Sequence, residues 1–231
     1  MAKLVLVRHG KSVWNLENRF TGWVDVDLSE KGIEEAISAG KRLRKAGLKF
    51  DIAFSSVLQR AIKTGFYILD ELDQLHIDHL KDWRFNERHY GALTGMNKDE
   101  VKAEVGEEQF LVYRRSYDVP PPALSTESKW HPIHDEKYKN VDPKLLPSTE
   151  SLKDNQKRSM AAFHEKIAPL LVEGKDVLIT AHGNTIRGMV KELDGISDED
   201  IPKFEIQTGI PRVYEFDEAL HILNVYNIDE D

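Results

Sequence analysis

Lys3-Leu4-Val5-Leu6-Val7-Arg8-His9-Gly10 and Asp176-Val177-Leu178-Ile179-Thr180-Ala181-His182-Gly183 are one arrangement written twice: a short apolar run, then a histidine, then a glycine. Uninterrupted aliphatic runs of four or five residues are what a strand needs when both of its faces are covered. In open α/β sheets, ligands bind beyond the carboxyl ends of such strands. Two strands can therefore bring His9 and His182 to one point although most of the chain lies between them. The glycine after each histidine predicts a sharp turn and a close backbone approach to a ligand. A helix starting after Gly183 would aim its free N–H groups at an anion. Either histidine alone would be better read as a buried structural imidazole. Two in the same context favour a site.

Outward from these strands the pattern alternates. Ser29 offers an N-cap, and Ile33, Ile37, Gly40 and Leu43 follow at helical spacing, with Gly47 placed as a C-terminal glycine. Residues 51–55 read as a second strand. Residues 57–72 read as a helix with Leu58, Ile62, Phe66 and Leu69 on its buried stripe. After Pro147, Ser148 is expected to cap a long helix carrying Leu152, Phe163, Ile167, Leu170 and Leu171. A helix over 185–193 and closing strands at 213–216 and 222–225 follow. Between the two blocks, about 83–147, the chain is polar and rich in proline, with helical patches at 98–105 and 107–117. Its aromatic residues Trp83, Tyr90, Tyr113 and Trp130 argue for a packed substrate loop rather than a linker. The expectation is one α/β domain over 1–231, a three-layer α/β/α sandwich with a mostly parallel central sheet and an insertion at about 83–147.

Composition narrows the function. Of 231 residues, 32 are Lys or Arg and 40 are Asp or Glu, a formal charge of −8, so no broad positive field is available for nucleic acid. A small anion needs only a local cluster of arginines. With no cysteine, disulfides, thiolate metal sites and cysteine nucleophiles are excluded. The first apolar run is far too short for a signal h-region or a membrane span, which predicts a cytoplasmic protein without membrane partners. His76-x-x-His79 and His131-x-x-His134 have spacings that metal sites sometimes use, but neither has an obvious third ligand, so solvated loop histidines and no metal are expected.

Arg8 adjoins the first histidine, Asn15 follows shortly after, and Arg60 lies early in the helix after the strand ending Ser55-Ser56. Two arginines on that sheet edge would neutralise most of a phosphoryl dianion by bidentate bonds.

The segments Arg8-His9-Gly10-Lys11-Ser12-Val13-Trp14-Asn15, Asn18–Trp23, Leu28–Gly32, Ser55–Ala61, Asn86–Gly91, Tyr113–Asp118 and Ala181–Asn184, in that order, resemble the histidine phosphatase superfamily. Within it they are similar to the cofactor-dependent phosphoglycerate mutases. The resemblance runs over essentially the whole chain. It implies a glycolytic and gluconeogenic isomerase that interconverts 3- and 2-phosphoglycerate by ping-pong transfer, with 2,3-bisphosphoglycerate as primer and no metal. It implies a phosphohistidine at His9, whose other ring nitrogen should be pinned by a backbone carbonyl. His182, Arg8, Asn15, Arg60 and Gly183 would stabilise the transferring phosphoryl group, with Ser12 in the same loop. Glu87 would be the general acid and base, a role that needs burial or neighbouring anionic charge to keep it protonated. Spacing alone would sooner pair Glu87 with Arg88. Thr21, Gly22, Tyr90, Lys98, Arg114, Arg115 and Asn184 match substrate-holding positions. The adjacent arginines, at a helix start or bend, would clamp the second anionic end.

The chain departs from the family pattern at Lys11, where Glu or Gln is usual, and at Phe85, where Leu is usual. Lys11 would add a cation beside the pocket. The last residues, Asn227–Asp231, are short and acidic where many relatives carry a lysine-bearing tail, which predicts a larger side rate of phosphate release. Two other readings stand beside the mutase: a broad small-molecule phosphomonoesterase on the same fold, and a non-catalytic phosphate-binding protein. Intact His9, His182 and Glu87 weigh against the second, and Arg114, Arg115 and Lys98 against the first. The resemblance also implies a homodimer or higher homo-oligomer.

Overall fold

A computed structural model describes residues 1–229; Glu230 and Asp231, the end of the acidic stretch, lie outside the described residues. The chain runs β1 (Ala2–Arg8), α1 (Val13–Leu16), α2 (Glu30–Lys45), β2 (Ile52–Ser55), α3 (Gln59–Glu71), β3 (His79–Lys81), α4 (Lys98–Val105) and α5 (Glu107–Arg115). It continues with α6 (Leu152–Ala162), α7 (Ala168–Val172), β4 (Val177–Ala181), α8 (Gly183–Asp194), β5 (Arg212–Phe216) and β6 (Ile222–Asn227). Six strands form one sheet in the order β3-β2-β4-β1-β5-β6. The first four of these neighbours pair in parallel, and β5 and β6 close the sheet antiparallel. The mostly parallel sheet expected from the alternation is present, and it puts the ends of β1 and β4 side by side, with Arg8 opposite Ala181.

Alternate residues of β1 go to opposite faces, because side chains along a strand alternate. Leu4 and Leu6 pack with Phe163, Ile167, Ile186, Met189 and Val190 under α6–α8, whereas Val5 and Val7 pack with Leu43, Ile68 and Leu69 under α2 and α3. Helices thus cover both faces.

The helices lie close to the sheet because their inward stripes are small. In α2 the buried positions are Gly32, Ala36, Ala39, Gly40 and Leu43, and the expected Ile33 and Ile37 are only half-buried. A Cβ on Gly40 would meet the Glu71 Cβ at 2.6 Å, so the glycine sets the α2–α3 contact. In α3 the inward face is Arg60, Ala61, Thr64, Gly65, Ile68 and Leu69; the expected Leu58 and Leu69 are buried, whereas Phe66, expected inside, is 47% exposed and Ile62 is half-buried. Gly65 lies against the His79 ring and Thr180, room that a larger side chain would fill. Gly40, Leu43, Leu58 and Leu69 are buried as expected; at the other stripe positions packing chose small residues over Ile33, Ile37, Ile62 and Phe66.

Three further expectations are corrected. Ser151, not Ser148, caps α6, accepting from the Asp154 amide in a reciprocal capping box; Ser148 is engaged instead with the His131 ring at 2.9 Å. The long helix is not uniform: a π-helical turn at Phe163–Ile167 joins α6 to α7. The short edge strand β3 was absent from the sequence reading, because three residues carry too little pattern.

Segment 83–147 holds α4 and α5 at almost the predicted bounds. Its anchors are buried polar groups. The Arg88 guanidinium, fully buried, donates to the carbonyls of Glu150 and Tyr113, both at 2.8 Å. Arg158 pairs with Glu150 at 2.8 Å and donates to the carbonyls of Arg84, Asn86 and Glu87. Tyr138 packs on Trp23 and accepts from the Asn86 amide.

Candidate active site

The carboxyl ends of β1 and β4 open into a cavity of about 290 Å³. Its lining includes seven basic side chains, Arg8, Arg19, Arg60, Lys98, Arg114, Arg115 and Arg187, and two carboxylates, Glu87 and Glu205. In a chain whose formal charge is −8, this is a local concentration of positive charge.

His9 sits at the floor, 4% exposed, immediately after β1, with its amide bonded to the Ala181 carbonyl. Its Nδ1 lies 2.6 Å from the Gly10 carbonyl. A carbonyl can only accept, so Nδ1 carries the proton and the lone pair is on Nε2. Burial first, then the charges of Arg60 and Arg8, hold the His9 pKa well below its usual value, so the imidazole is neutral at pH 7. His182 lies behind it, ring centroids 5.0 Å apart, fully buried. Its Nε2 shares a 2.7 Å hydrogen bond with Ser56, while its buried Nδ1 has no partner. Burial, then Arg60, lowers its pKa in the same way.

Neither glycine after the histidines has positive φ. The requirement is close approach. A Cβ on Gly10 would fall 2.0 Å from the Gly32 carbonyl oxygen of α2, and one on Gly183 would press on the Arg8 guanidinium at 3.1 Å. The first turn of α8 thereby abuts Arg8. Its first internal bond is Ile186 N–H to the His182 carbonyl, so the amides of Gly183 and Asn184, which line the cavity, lack helical acceptors.

Arg60 is 1% exposed and is held by the carbonyls of Val24 and Gly22, both at 2.7 Å. Burial lowers its pKa to about 10, which still leaves it charged at neutral pH. Arg8 donates to the Ile206 carbonyl at 2.7 Å, and its buried Nε has no partner. Asn15, Thr21, Gly22 and Tyr90 also line the cavity, and the Tyr90 hydroxyl accepts from Asn184 at 2.9 Å.

Glu87 faces the floor from the inserted segment. Its backbone is pinned, since its carbonyl accepts from Trp23 at 2.6 Å and from Arg158 at 3.1 Å. Its carboxylate accepts from the Arg88 backbone amide, not from the guanidinium, which is spent on carbonyls. The Glu87–Arg88 ion pair that spacing alone favoured is therefore absent, and the carboxylate stays at the cavity. Lys98 opens α4; burial first, then Arg114 and Arg8, lower its pKa to about 8. Arg114 and Arg115 both line the cavity from the last turn of α5, not from a helix start.

Three sequence candidates fall elsewhere. Ser12 does not line the cavity; its hydroxyl caps α1, accepting from the Asn15 amide at 3.1 Å. Lys11 contributes a backbone carbonyl that accepts from Ser29 at the start of α2, and its side chain is not at the cavity. The paired histidines are not all the solvated loop residues expected: His79 is half-buried on β3 against Gly65, and His131 is buried with its ring bonded to Ser148, while His134 is exposed and bonds to the Thr126 carbonyl. Among the described residues no three His, Asp or Glu side chains come together as a metal group.

Arg19, Arg187, Phe20 and the stretch Glu205–Gln207 line the cavity and were missed. Arg187 was legible in principle, since Gly183 and Arg187 share a helix face. Arg19 arrives through a bridge to Asn97, and Glu205–Gln207 through the Arg8–Ile206 bond, neither of which leaves a local signal.

The family model of the histidine phosphatase superfamily (branch 1) matches residues 4–131 and 125–229. A 2,3-bisphosphoglycerate-dependent phosphoglycerate mutase of Nautilia profundicola is 80% identical over 229 residues, covering 99% of this chain and all of that one. Phosphoglycerate mutase 2 of Lactiplantibacillus plantarum, of the same bisphosphoglycerate-dependent kind, is 54% identical over 96% of this chain and 97% of its own. Among solved structures, Bacillus stearothermophilus YhfR superposes with a TM-score of 0.73 at 22% identity over 96% of both chains. A mycobacterial glucosyl-3-phosphoglycerate phosphatase superposes with a TM-score of 0.70 at 22% identity over 92% of both. At such identities the likeness to these structures is one of fold.

Proposed function

The chain belongs to the histidine phosphatase superfamily, in the family of the 2,3-bisphosphoglycerate-dependent phosphoglycerate mutases. From that premise we propose that it interconverts 3-phosphoglycerate and 2-phosphoglycerate by ping-pong transfer through a phosphohistidine at His9. Bound 2,3-bisphosphoglycerate supplies the phosphoryl group that primes the histidine. The cavity suits such a ligand: seven cations line it, and buried, unpartnered ring or guanidinium nitrogens on His182, Arg8 and Arg187 await a partner.

The observation that carries this reading is the bond between His9 Nδ1 and the Gly10 carbonyl, because it leaves the Nε2 lone pair for phosphorus. With His9 neutral in the folded protein, no proton need be removed before attack. Arg8, Arg60 and His182 would hold the phosphoryl oxygens in a buried, preorganised setting, where such interactions act most strongly. Glu87 would deliver a proton to the oxygen that leaves phosphorus. In the opposite half-reaction it would take the proton from the substrate hydroxyl that attacks phosphohistidine, giving bound 2,3-bisphosphoglycerate, which turns end for end before His9 attacks its other phosphoryl group, so the proton count closes over a cycle. Tyr90, Lys98, Arg114, Arg115, Asn184, Thr21 and Gly22 would hold the substrate's second anionic end, with Asn15 at the phosphate.

An assay in EDTA tests this. Isomer formation from 3-phosphoglycerate, stimulated by catalytic 2,3-bisphosphoglycerate and with little free phosphate, is expected; phosphate release without isomer would identify a phosphomonoesterase instead. No helix among the described residues is long and apolar enough to cross a membrane, and we place the enzyme's work in the cytoplasm with the rest of glycolysis. We also propose a homodimer. β3 is an edge strand, and Leu80 on it and Phe66 on neighbouring α3 are 46% and 47% exposed. Light scattering at twice the chain mass is the expected result.

A further inference from the structure

Among the seven cavity cations, Arg19 pairs at 3.2 Å with Glu17, which is not part of the lining, whereas Arg115 pairs with one of the two carboxylates that do line the cavity. Its guanidinium is paired with the Glu205 carboxylate at 2.8 Å. Adjacent Arg114, by contrast, has among the described residues an aromatic contact over Phe110 and no ion pair. The two neighbouring arginines are therefore unequal before any ligand arrives.

The pair is held in a definite way. The backbone around Glu205 is tied down by two arginines of the same site, Arg187 donating to the Ile201 carbonyl and Arg8 to the Ile206 carbonyl, each at 2.7 Å. The Gly209 amide bonds to the Arg8 carbonyl as well. The Glu205 side chain itself is 71% exposed, whereas that of Arg115 is 25% exposed. A fixed backbone thus presents an exposed carboxylate to a more buried guanidinium. Displacing it takes a side-chain rotation into water and no loop movement.

We infer that Glu205 is a specificity-determining residue, an internal carboxylate that occupies Arg115 until the second anionic group of a phosphorylated ligand displaces it. This rests on the proposed function for the ligand class only: a phosphoester carrying a second anion. The consequence is selective. A ligand with a phosphate alone, bound at the His9 floor, does not need Arg115 and is indifferent to Glu205. A ligand with two anionic ends must break the pair, so Glu205 weakens its binding and eases its departure. An exposed ion pair contributes little, so the weakening is modest, roughly two- to fivefold.

Calorimetry with 2-phosphoglycolate and with inorganic phosphate tests this on the wild type, E205Q, R115M and the double variant. Glu205→Gln should tighten 2-phosphoglycolate roughly two- to fivefold, leave phosphate unchanged, and have no effect when Arg115 is already Met. A merely structural role would move both ligands together. The inference is overturned by an equal change for both ligands, by no change for phosphoglycolate, by an effect that persists in R115M, or by a wild type that binds phosphoglycolate no better than phosphate. Isomerase activity is read separately: its absence would remove the proposed function while leaving this binding result to stand or fall alone.

Discussion

The sheet with its helices and the segment 83–147 are held together by different physics. In the first, β1 and β4 are buried aliphatic runs, and helices with small inward residues close over them. In the second, a small apolar cluster of Phe20, Leu93, Val101 and Phe110 is joined by buried arginines donating to carbonyls, a buried Arg158–Glu150 pair and clustered aromatics around Trp23 and Tyr138. The division follows the chemistry. The sheet and its helices supply the floor, His9, Arg8 and Arg60, with His182 buried behind His9, where a nucleophile needs rigidity. The segment supplies the wall, Glu87, Tyr90, Lys98, Arg114 and Arg115, where a substrate has to be read. Apolar packing makes a frame, and polar anchoring places specific groups on it.

The sharpest test of the floor is His9→Asn. It should lower isomerisation by about 10⁴-fold or more and abolish acid-labile labelling of the protein, with an unchanged melting temperature. Glu87→Gln tests the wall: turnover should fall about 10²- to 10⁴-fold while substrate binding by calorimetry changes little. Equal losses of binding and turnover would make Glu87 a ligand rather than a proton carrier.

Two stability variants separate the two kinds of cohesion. Leu6→Ala, at a fully buried strand position, should cost about 2–5 kcal/mol in urea unfolding, seen equally by far-UV circular dichroism and fluorescence. Arg88→Met leaves buried carbonyls unpaired and should cost about 2–4 kcal/mol. Here tryptophan fluorescence should change first, because Trp83 and Trp130 belong to the segment and Trp23 and Trp14 pack on them. If both signals moved together for both variants, the division would be broken.

The smallest effect concerns pH. Lys98 has its pKa lowered to about 8, mainly by burial and then by Arg114 and Arg8, whereas an unfolded lysine titrates near about 10.4. Between those values the unfolded chain binds more protons, so this group makes stability rise with pH from about 8 to about 10.4. Substrate binding runs the other way, since the cation is lost. KM for 3-phosphoglycerate should rise roughly tenfold between about pH 7 and about pH 9.5, and Lys98→Met should flatten the profile.

How far the sequence could be read tracks the same division. The strands around Leu4–Val7 and Val177–Thr180 were plain because continuous aliphatic runs have few other uses. The α3 stripe was misjudged in part because periodicity ranks Phe66 above Gly65, whereas close packing needs the absence of a side chain. In the segment, α4 and α5 were legible from local pattern. Nothing local said that Arg88 would turn away from Glu87 to the carbonyls of Glu150 and Tyr113.

By itself the sequence determined the order of the longer strands and helices, though not the three-residue β3, the two histidines at the ends of buried strands, and, through its ordered motifs, the family. These depend on residue type and on neighbours along the chain. Only the tertiary structure decided that Ser12 caps a helix instead of facing the cavity, that Arg19, Arg187 and Glu205 do face it, and that Arg115 is already paired. Each of those outcomes is a competition among distant groups for one hydrogen bond or one charge, and such competitions are settled by distances that exist only once the chain is folded.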